Sequence, residues 1–123
     1  MIVADTNIWI AYFEGQRGSD VDAMDRSLQD GILRMCPVVL TELFSDPALD
    51  TDLVEALMAV PLLELIAGVW ERTGRLRAAA ISNKLKPKLA DSLIAQICID
   101  HEAVLITRDK GFQGFVSAGL RLF

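Results

Sequence analysis

Ala103-Val104-Leu105-Ile106-Thr107-Arg108-Asp109 is an unbroken apolar run that ends in a hydroxyl, a base and an acid. A short apolar run without polar alternation reads as a strand buried on both faces, the condition of strands in a parallel sheet. The start of the chain repeats the pattern: Met1-Ile2-Val3-Ala4 runs into Asp5-Thr6-Asn7. Each stretch therefore places an aspartate at the carboxyl end of a buried strand. Ile32–Cys36 and Leu62–Ile66 read as two further strands, and Leu120–Phe123 as an edge strand.

Helical patterns fill the intervals. Thr6–Phe13 carries Ile8, Trp9, Tyr12 and Phe13, with Gly15 as its stop. Ser19 reads as the N-cap of a helix bearing Val21, Met24 and Leu28 and closed by Gly31. Val38–Ser45 places Val39, Leu40, Leu43 and Phe44 at helical spacing. Asp50 or Thr51 caps a helix with Leu53, Val54, Leu57 and Met58 on one face, ending near Pro61. Val69–Leu85 is a long helix with the stripe Val69, Thr73, Leu76 and Ala80. Pro87 suits the first turn of the next helix, which runs to about Glu102 and packs Ala90, Leu93, Ile94, Ile97 and Cys98. A short helical piece is expected over Phe112–Val116. Strands alternating with helices imply a central, mainly parallel sheet flanked by helices, a three-layer α/β fold. In such sheets ligands bind beyond the carboxyl ends of the strands.

The 123 residues suit one domain spanning 1–123. No apolar run reaches the roughly 20 residues of a membrane-spanning helix, and Asp5 interrupts any signal-peptide core. Cys36 and Cys98 are read as buried thiols, which fits a cytoplasmic protein. Net charge is −5, which argues against a passive polyanion binder. The charge is uneven, however: residues 1–61 hold eleven acids and three bases, residues 62–123 six acids and nine bases.

Most of the acids have ordinary explanations. Asp20, Asp22, Asp25 and Asp30 decorate a solvated helix, Asp50 and Asp52 start one, and Asp100 and Glu102 end one. Asp5, Glu42, Asp91 and Asp109 do not fit that description. Two lie at strand ends, and two lie among apolar neighbours on helices able to cover the same rim. An unpaired buried carboxylate is unfavourable, and four together raise one another's pKa unless cations neutralise them. Arg108 beside Asp109, or Arg77, are the structural alternatives. An oxygen-only donor set suits Mg²⁺ or Mn²⁺ over zinc. His101 supplies no nitrogen-rich site. Such an ion activates water and polarises a phosphodiester. Thr6, Asn7 and Thr107 are placed to orient ligands or water around it, and Thr6 equally to cap a helix. Lys84, Lys86 and Lys88 precede Asp91, and Arg108 and Lys110 flank Asp109. These five bases are the candidate phosphate contacts.

Ile2-Val3-Ala4-Asp5-Thr6-Asn7, Thr41-Glu42-Leu43, Ala90-Asp91-Ser92-Leu93-Ile94-Ala95 and Leu105-Ile106-Thr107-Arg108-Asp109-Lys110-Gly111-Phe112 resemble, in order, the motifs of PIN-domain ribonucleases. The length is similar to that of VapC-type toxins of toxin–antitoxin pairs. The resemblance implies a Rossmann-like PIN fold and a Mg²⁺- or Mn²⁺-dependent endoribonuclease. It implies Asp5, Glu42, Asp91 and Asp109 as the acidic quartet and Thr107 as its support. It also implies a homodimer and a cognate antitoxin whose tail occupies the groove. Ser92 and Gln96 depart from the small apolar residues more usual there. Two alternatives stand beside this reading. One is a non-catalytic RNA- or partner-binding module on the same fold. The other is a phosphorelay receiver domain, which lacks support because no aspartate follows Leu62–Ile66.

Overall fold

Ile2–Ala4 forms β1, one of the two inner strands of a four-stranded sheet, in a computed structural model that describes residues 1–123. Its neighbours are β2 (Leu33–Arg34) and β3 (Val104–Ile106), and β4 (Arg121–Leu122) closes the edge beyond β3. All pairings are parallel: Ile2 lies opposite Leu33 on one side and Val104 on the other, and Ala4 lies opposite Ile106. Val3, Leu105 and Ile106 are buried, as a sheet covered on both faces requires.

The order β2-β1-β3-β4 decides where a site can form. From β1 the chain crosses to β2 through α1 (Thr6–Phe13) and α2 (Ser19–Gln29). It then passes through α3 (Pro37–Phe44), α4 (Thr51–Met58), α5 (Val69–Ser82) and α6 (Leu89–Asp100), and returns to β3 on the other side of β1. Connections leaving in opposite directions open a crevice at the carboxyl ends of β1 and β3. The backbone N–H of Asp5 donates to the Ile106 carbonyl, 2.9 Å, so the two strand exits lie side by side. A nine-residue 3₁₀ helix, Lys110–Ala118, links β3 to β4.

One cluster of 26 buried residues forms the core, with Trp9, Phe112 and Phe115 its largest fully buried side chains. Val69, Thr73, Leu76 and Ala80 are the buried face of α5, as their spacing predicts. Asp50 caps α4, accepting from Leu53 N–H at 2.9 Å.

Several boundaries differ from the sequence reading. Leu62–Ile66 is no strand: Leu62 makes a single bridge to Met35, and of the five residues only Leu63 is buried. With β2 only two residues long, there is no ladder for this apolar stretch to extend. Ser19 is the first residue of α2 and Gly18 its cap. Pro37 occupies the first turn of α3. Pro87 precedes α6 by two residues, and its carbonyl accepts from Arg77 Nε at 3.2 Å. Asp100 is no fraying end but is clamped by Arg72 and by Gln96, whose Nε2 lies 2.9 Å from Oδ1. Asp20 is paired with Arg108, and Asp25 accepts from the Tyr12 hydroxyl at 3.3 Å. Gln96 and Ser92 fit without disruption: Ser92 Oγ donates to the Lys88 carbonyl at 2.8 Å, one turn back.

Candidate functional site

Asp5 leaves the sheet at the tip of β1 and becomes the N-cap of α1, where Oδ1 accepts from Thr6 N–H at 2.8 Å. It is 6% exposed. Its second oxygen accepts from Thr107 Oγ1 at 2.6 Å and from Asn7 Nδ2 at 3.4 Å. Burial pushes its pKa above the ordinary 3.8, against the Thr107 and Thr6 hydrogen bonds, with the Asp109 charge adding to the rise.

Asp109 caps the 3₁₀ helix, Oδ1 accepting from Gly111 N–H at 2.8 Å. Its own N–H donates to Thr107 Oγ1 at 3.0 Å. The Thr107 hydroxyl thus joins the two strand-end acids, donating to one carboxylate and accepting from the backbone of the other residue. Asn7 adds a tie, its Oδ1 accepting from Arg108 N–H at 3.3 Å.

Asp91 sits in the first turn of α6, half-buried, and its carboxylate accepts no hydrogen bond from the protein. Its pKa is raised first by burial, then by Asp109, Asp5 and Glu42, while Lys88 opposes the rise. Glu42, exposed on α3, accepts from Thr6 Oγ1 at 3.0 Å. The four acids therefore share one electrostatic neighbourhood at the crevice. None has a cationic side chain within ion-pair distance, because the protein's two ion pairs are Arg72–Asp100 and Arg108–Asp20. No three of the Asp, Glu, His or Cys side chains close around a common point that would hold an ion. The cup is open, its oxygens held apart.

The candidate bases divide. Lys86 and Lys88 border a cavity of about 190 Å³ that Asp91 and Asp109 also line. Lys84 and Lys110 are exposed and do not line it. Arg108 turns away from the acids: Nε lies 2.7 Å from Asp20 Oδ2 and Nη1 2.9 Å from Gln16 Oε1. Arg77 is likewise no partner for the acids, being tied to the Pro87 carbonyl. His101 ends α6 and its Nε2 lies 2.7 Å from the Glu64 carbonyl, away from the cup.

The sequence reading passed over the cavity's other walls, Leu85, Pro87, Gly111, Gly114 and Phe115. The glycine pair at 111 and 114 was the available signal. A Cβ on Gly114 would stand 2.7 Å from Leu85 Cδ1, the tip of an exposed side chain, so a methyl there would turn Leu85 aside and reshape that wall. On the opposite side, Thr6 and Glu42 border an apolar trough of about 310 Å³ floored by Ile10, Phe13, Leu43, Leu49 and Leu53.

A family model, PIN domain, matches residues 2–115. No curated protein matches the chain in sequence. Among solved structures it is similar to VapBC2 from Rickettsia felis bound to a DNA fragment from their promoter. There the identity is 20% and the TM-score 0.78, covering 100% of this chain and 98% of that one. VapBC-1 from nontypeable Haemophilus influenzae matches at 22% identity and TM-score 0.75, covering 100% and 97%. FitAcB from Neisseria gonorrhoeae matches at 22% and 0.68, covering 100% and 96%. At these identities the likeness is one of fold.

Proposed function

The chain belongs to the PIN-domain family, and on that premise we propose that it is a divalent-metal-dependent endoribonuclease, the toxin of a toxin–antitoxin pair. The receiver-domain alternative falls with the family assignment. The observation that carries the reading is four carboxylates at the β1/β3 crevice with no cation of the protein's own among them. A fold that buries Asp5 to 6% exposure and leaves its charge unneutralised keeps an unfavourable arrangement that an incoming cation relieves.

The donor set fits Mg²⁺ or Mn²⁺: it is all oxygen and negatively charged, and it is open on one side. Asp5, Glu42, Asp91 and Asp109 would hold the ion, which when bound supplies water activation and charge neutralisation at a phosphodiester. The protein's own part is positioning. Thr107 fixes Asp5 relative to Asp109, Thr6 fixes Glu42, and Asn7 ties Asp5 to the backbone of Arg108. Asp91, without a protein hydrogen bond, keeps both oxygens available to what enters. Lys86 and Lys88 attract the polyanion to a chain that is acidic overall. Lys84, Lys110 and Arg108 lie further out and add at most long-range attraction.

For the antitoxin, the solved relatives titled VapBC and FitAcB suggest a partner, and the trough beside Thr6 and Glu42 suits one. Its floor is apolar and its rim carries Glu14, Glu42 and Asp46, which fits a basic amphipathic segment. A homodimer is proposed with it, since Trp70 is 63% exposed and Leu65 and Ile66 just before it are exposed as well. No helix is long and apolar enough to cross a membrane.

Purified protein incubated with total RNA tests the activity. Cleavage in Mg²⁺ or Mn²⁺, lost in chelator and lost in Asp5→Asn, is the expected result. Cleavage that persists in chelator or in Asp5→Asn refutes the assignment. The non-catalytic alternative predicts RNA binding with no cleavage under any condition.

A further inference from the structure

Two cavities border the acidic cup, and their charges differ. One is reached past Thr6 and Glu42 and has Glu14, Glu42 and Asp46 on its rim. The other is reached past Asp91 and Asp109 and has Lys86 and Lys88. Neither lysine is engaged in an ion pair. A nucleic acid strand meets only acids on the first side; on the second, Lys86 and Lys88 offset the charge of Asp91 and Asp109 and offer phosphates a cationic contact.

We propose that the 190 Å³ cavity between the 84–88 loop and the 3₁₀ helix is a nucleoside subsite. It takes the unpaired base and sugar adjacent to the phosphodiester at the cup, while Lys86 and Lys88 hold the neighbouring phosphate. The inference rests on the nuclease reading and adds to it the seat of one nucleoside, its base turned into the protein. A phosphodiester at the acids carries a nucleoside on each side, and of the two bordering hollows this is the one that offers cations. Its apolar wall, Leu85 with Pro87 and Phe115, suits the face of a base, and such contacts tolerate any base. A base stacked within a duplex cannot enter.

The hollow is preformed. Lys84 is in the left-handed conformation (φ 64°), turning the chain out of α5. Leu85 N–H donates to the Ala80 carbonyl at 3.1 Å, and Arg77 holds the Pro87 carbonyl. Gly114 allows the opposite wall to pack against Leu85 without a methyl in the way.

The test uses the full chain and a single-stranded oligoribonucleotide that it cuts at one bond, remade with one abasic residue moved stepwise along it. An abasic residue at one position beside the cut is expected to raise KM about tenfold, with little effect elsewhere. Leu85→Trp, at an exposed position, fills the hollow and is expected to raise KM for the parent oligonucleotide similarly, removing the abasic effect. Gly114→Ala, which displaces Leu85, is the second variant should the first fail to fold. Cleavage with no abasic position dependence, or with both variants indistinguishable from wild type, overturns the subsite and leaves the nuclease standing. A protein that cuts no RNA refutes the nuclease instead. The subsite is then decided by NMR titration with uridine and adenosine 5′-monophosphates. Shifts of the Leu85 and Ala80 methyls support it, and their absence overturns it.

Discussion

Replacing Asp91 by asparagine is expected to stabilise the protein in metal-free buffer at pH 7, although Asp91 is one of the four acids proposed to hold the ion. The Asp91 carboxylate is half-buried, accepts no protein hydrogen bond and is repelled by Asp109, Asp5 and Glu42. Asparagine keeps the shape and removes the charge, and no bond is lost. Because water reaches the group, screening keeps the gain small, about 0.5–1 kcal/mol. Unfolding entropy of about 2.1 cal/mol/K per residue makes 1 kcal/mol worth about 4 °C for a chain of this size. Scanning calorimetry in chelator should therefore show a rise of about 2–4 °C. The gain is tied to pH. With its carboxyl held above 3.8, the folded protein binds this proton more tightly than the unfolded chain does. The ionisation penalty is absent below the unfolded value and fully present once pH has risen through the folded one. The difference between variant and wild type should accordingly shrink to a small remainder by about pH 3.5. Adding Mn²⁺ should reverse the order. An ion at a hundred times its Kd stabilises wild type by about 2.7 kcal/mol, more than the variant's gain, and the variant binds it less tightly. A lower midpoint for Asp91→Asn in chelator at pH 7, or a gap that does not change between pH 7 and pH 3.5, would refute the reasoning.

Further outcomes follow from the same structure. Thr107→Val removes the donor to Asp5 and the acceptor for Asp109 N–H, and should lower stability by about 1.5–3 kcal/mol in urea titration. In the same variant the Asp5 carboxyl, followed by carbon-detected NMR, should titrate at higher pH, and Thr107→Ser should restore both properties. Phe112→Ala should lose about 3–5 kcal/mol, because the ring is fully buried, whereas Phe112→Leu should lose under about 1.5 kcal/mol. Lys86→Ala with Lys88→Ala should reduce the salt-dependence slope of RNA binding by about 2, measured by anisotropy on an Asp5→Asn background. Arg108→Gln should leave that slope in place, because its guanidinium is already held by Asp20 and Gln16.

How much of this was legible in the sequence depended on whether position along an element settled direction. Asp5 and Asp109 were readable because a buried apolar run fixes where a strand ends, and parallel topology brings such ends together. Asp91 was readable because helical spacing assigns a face; Glu42, expected among apolar neighbours, is instead exposed on α3 and reaches the crevice through Thr6. Ser92 and Gln96 were readable in retrospect, since each finds its partner four residues away on the same helix. Arg108 was not. It neighbours Asp109 in sequence, but successive side chains at a strand exit point to opposite sides. Thr107 therefore points to Asp5 and Arg108 to Asp20. Asp100 was misread for a related reason, because its partner Arg72 lies 28 residues away and no local pattern records it. Leu62–Ile66 has the composition of a strand, but an apolar run becomes one only where a neighbour offers a ladder, and the two residues of β2 do not.

The side chains that hold the acids are as informative as the acids. Arginine is the usual partner of a buried carboxylate, and this protein uses it so at Asp100. At the crevice the supporting donors are different: hydroxyls of Thr6 and Thr107, the amide of Asn7, and the backbone N–H groups of Thr6 and Gly111. Neutral donors orient a carboxylate and offset part of its desolvation without cancelling its charge. A guanidinium would neutralise that charge, and the same positive charge would oppose any cation entering the cup. Neutral support is thus what the proposed cation site requires and a buried ion pair does not. Replacing Thr107 by arginine should expose the difference. Whatever the effect of the longer side chain on packing, calorimetry with Mn²⁺ should detect little or no stabilisation by the ion. Undiminished stabilisation by Mn²⁺ would mean that the ion binds elsewhere.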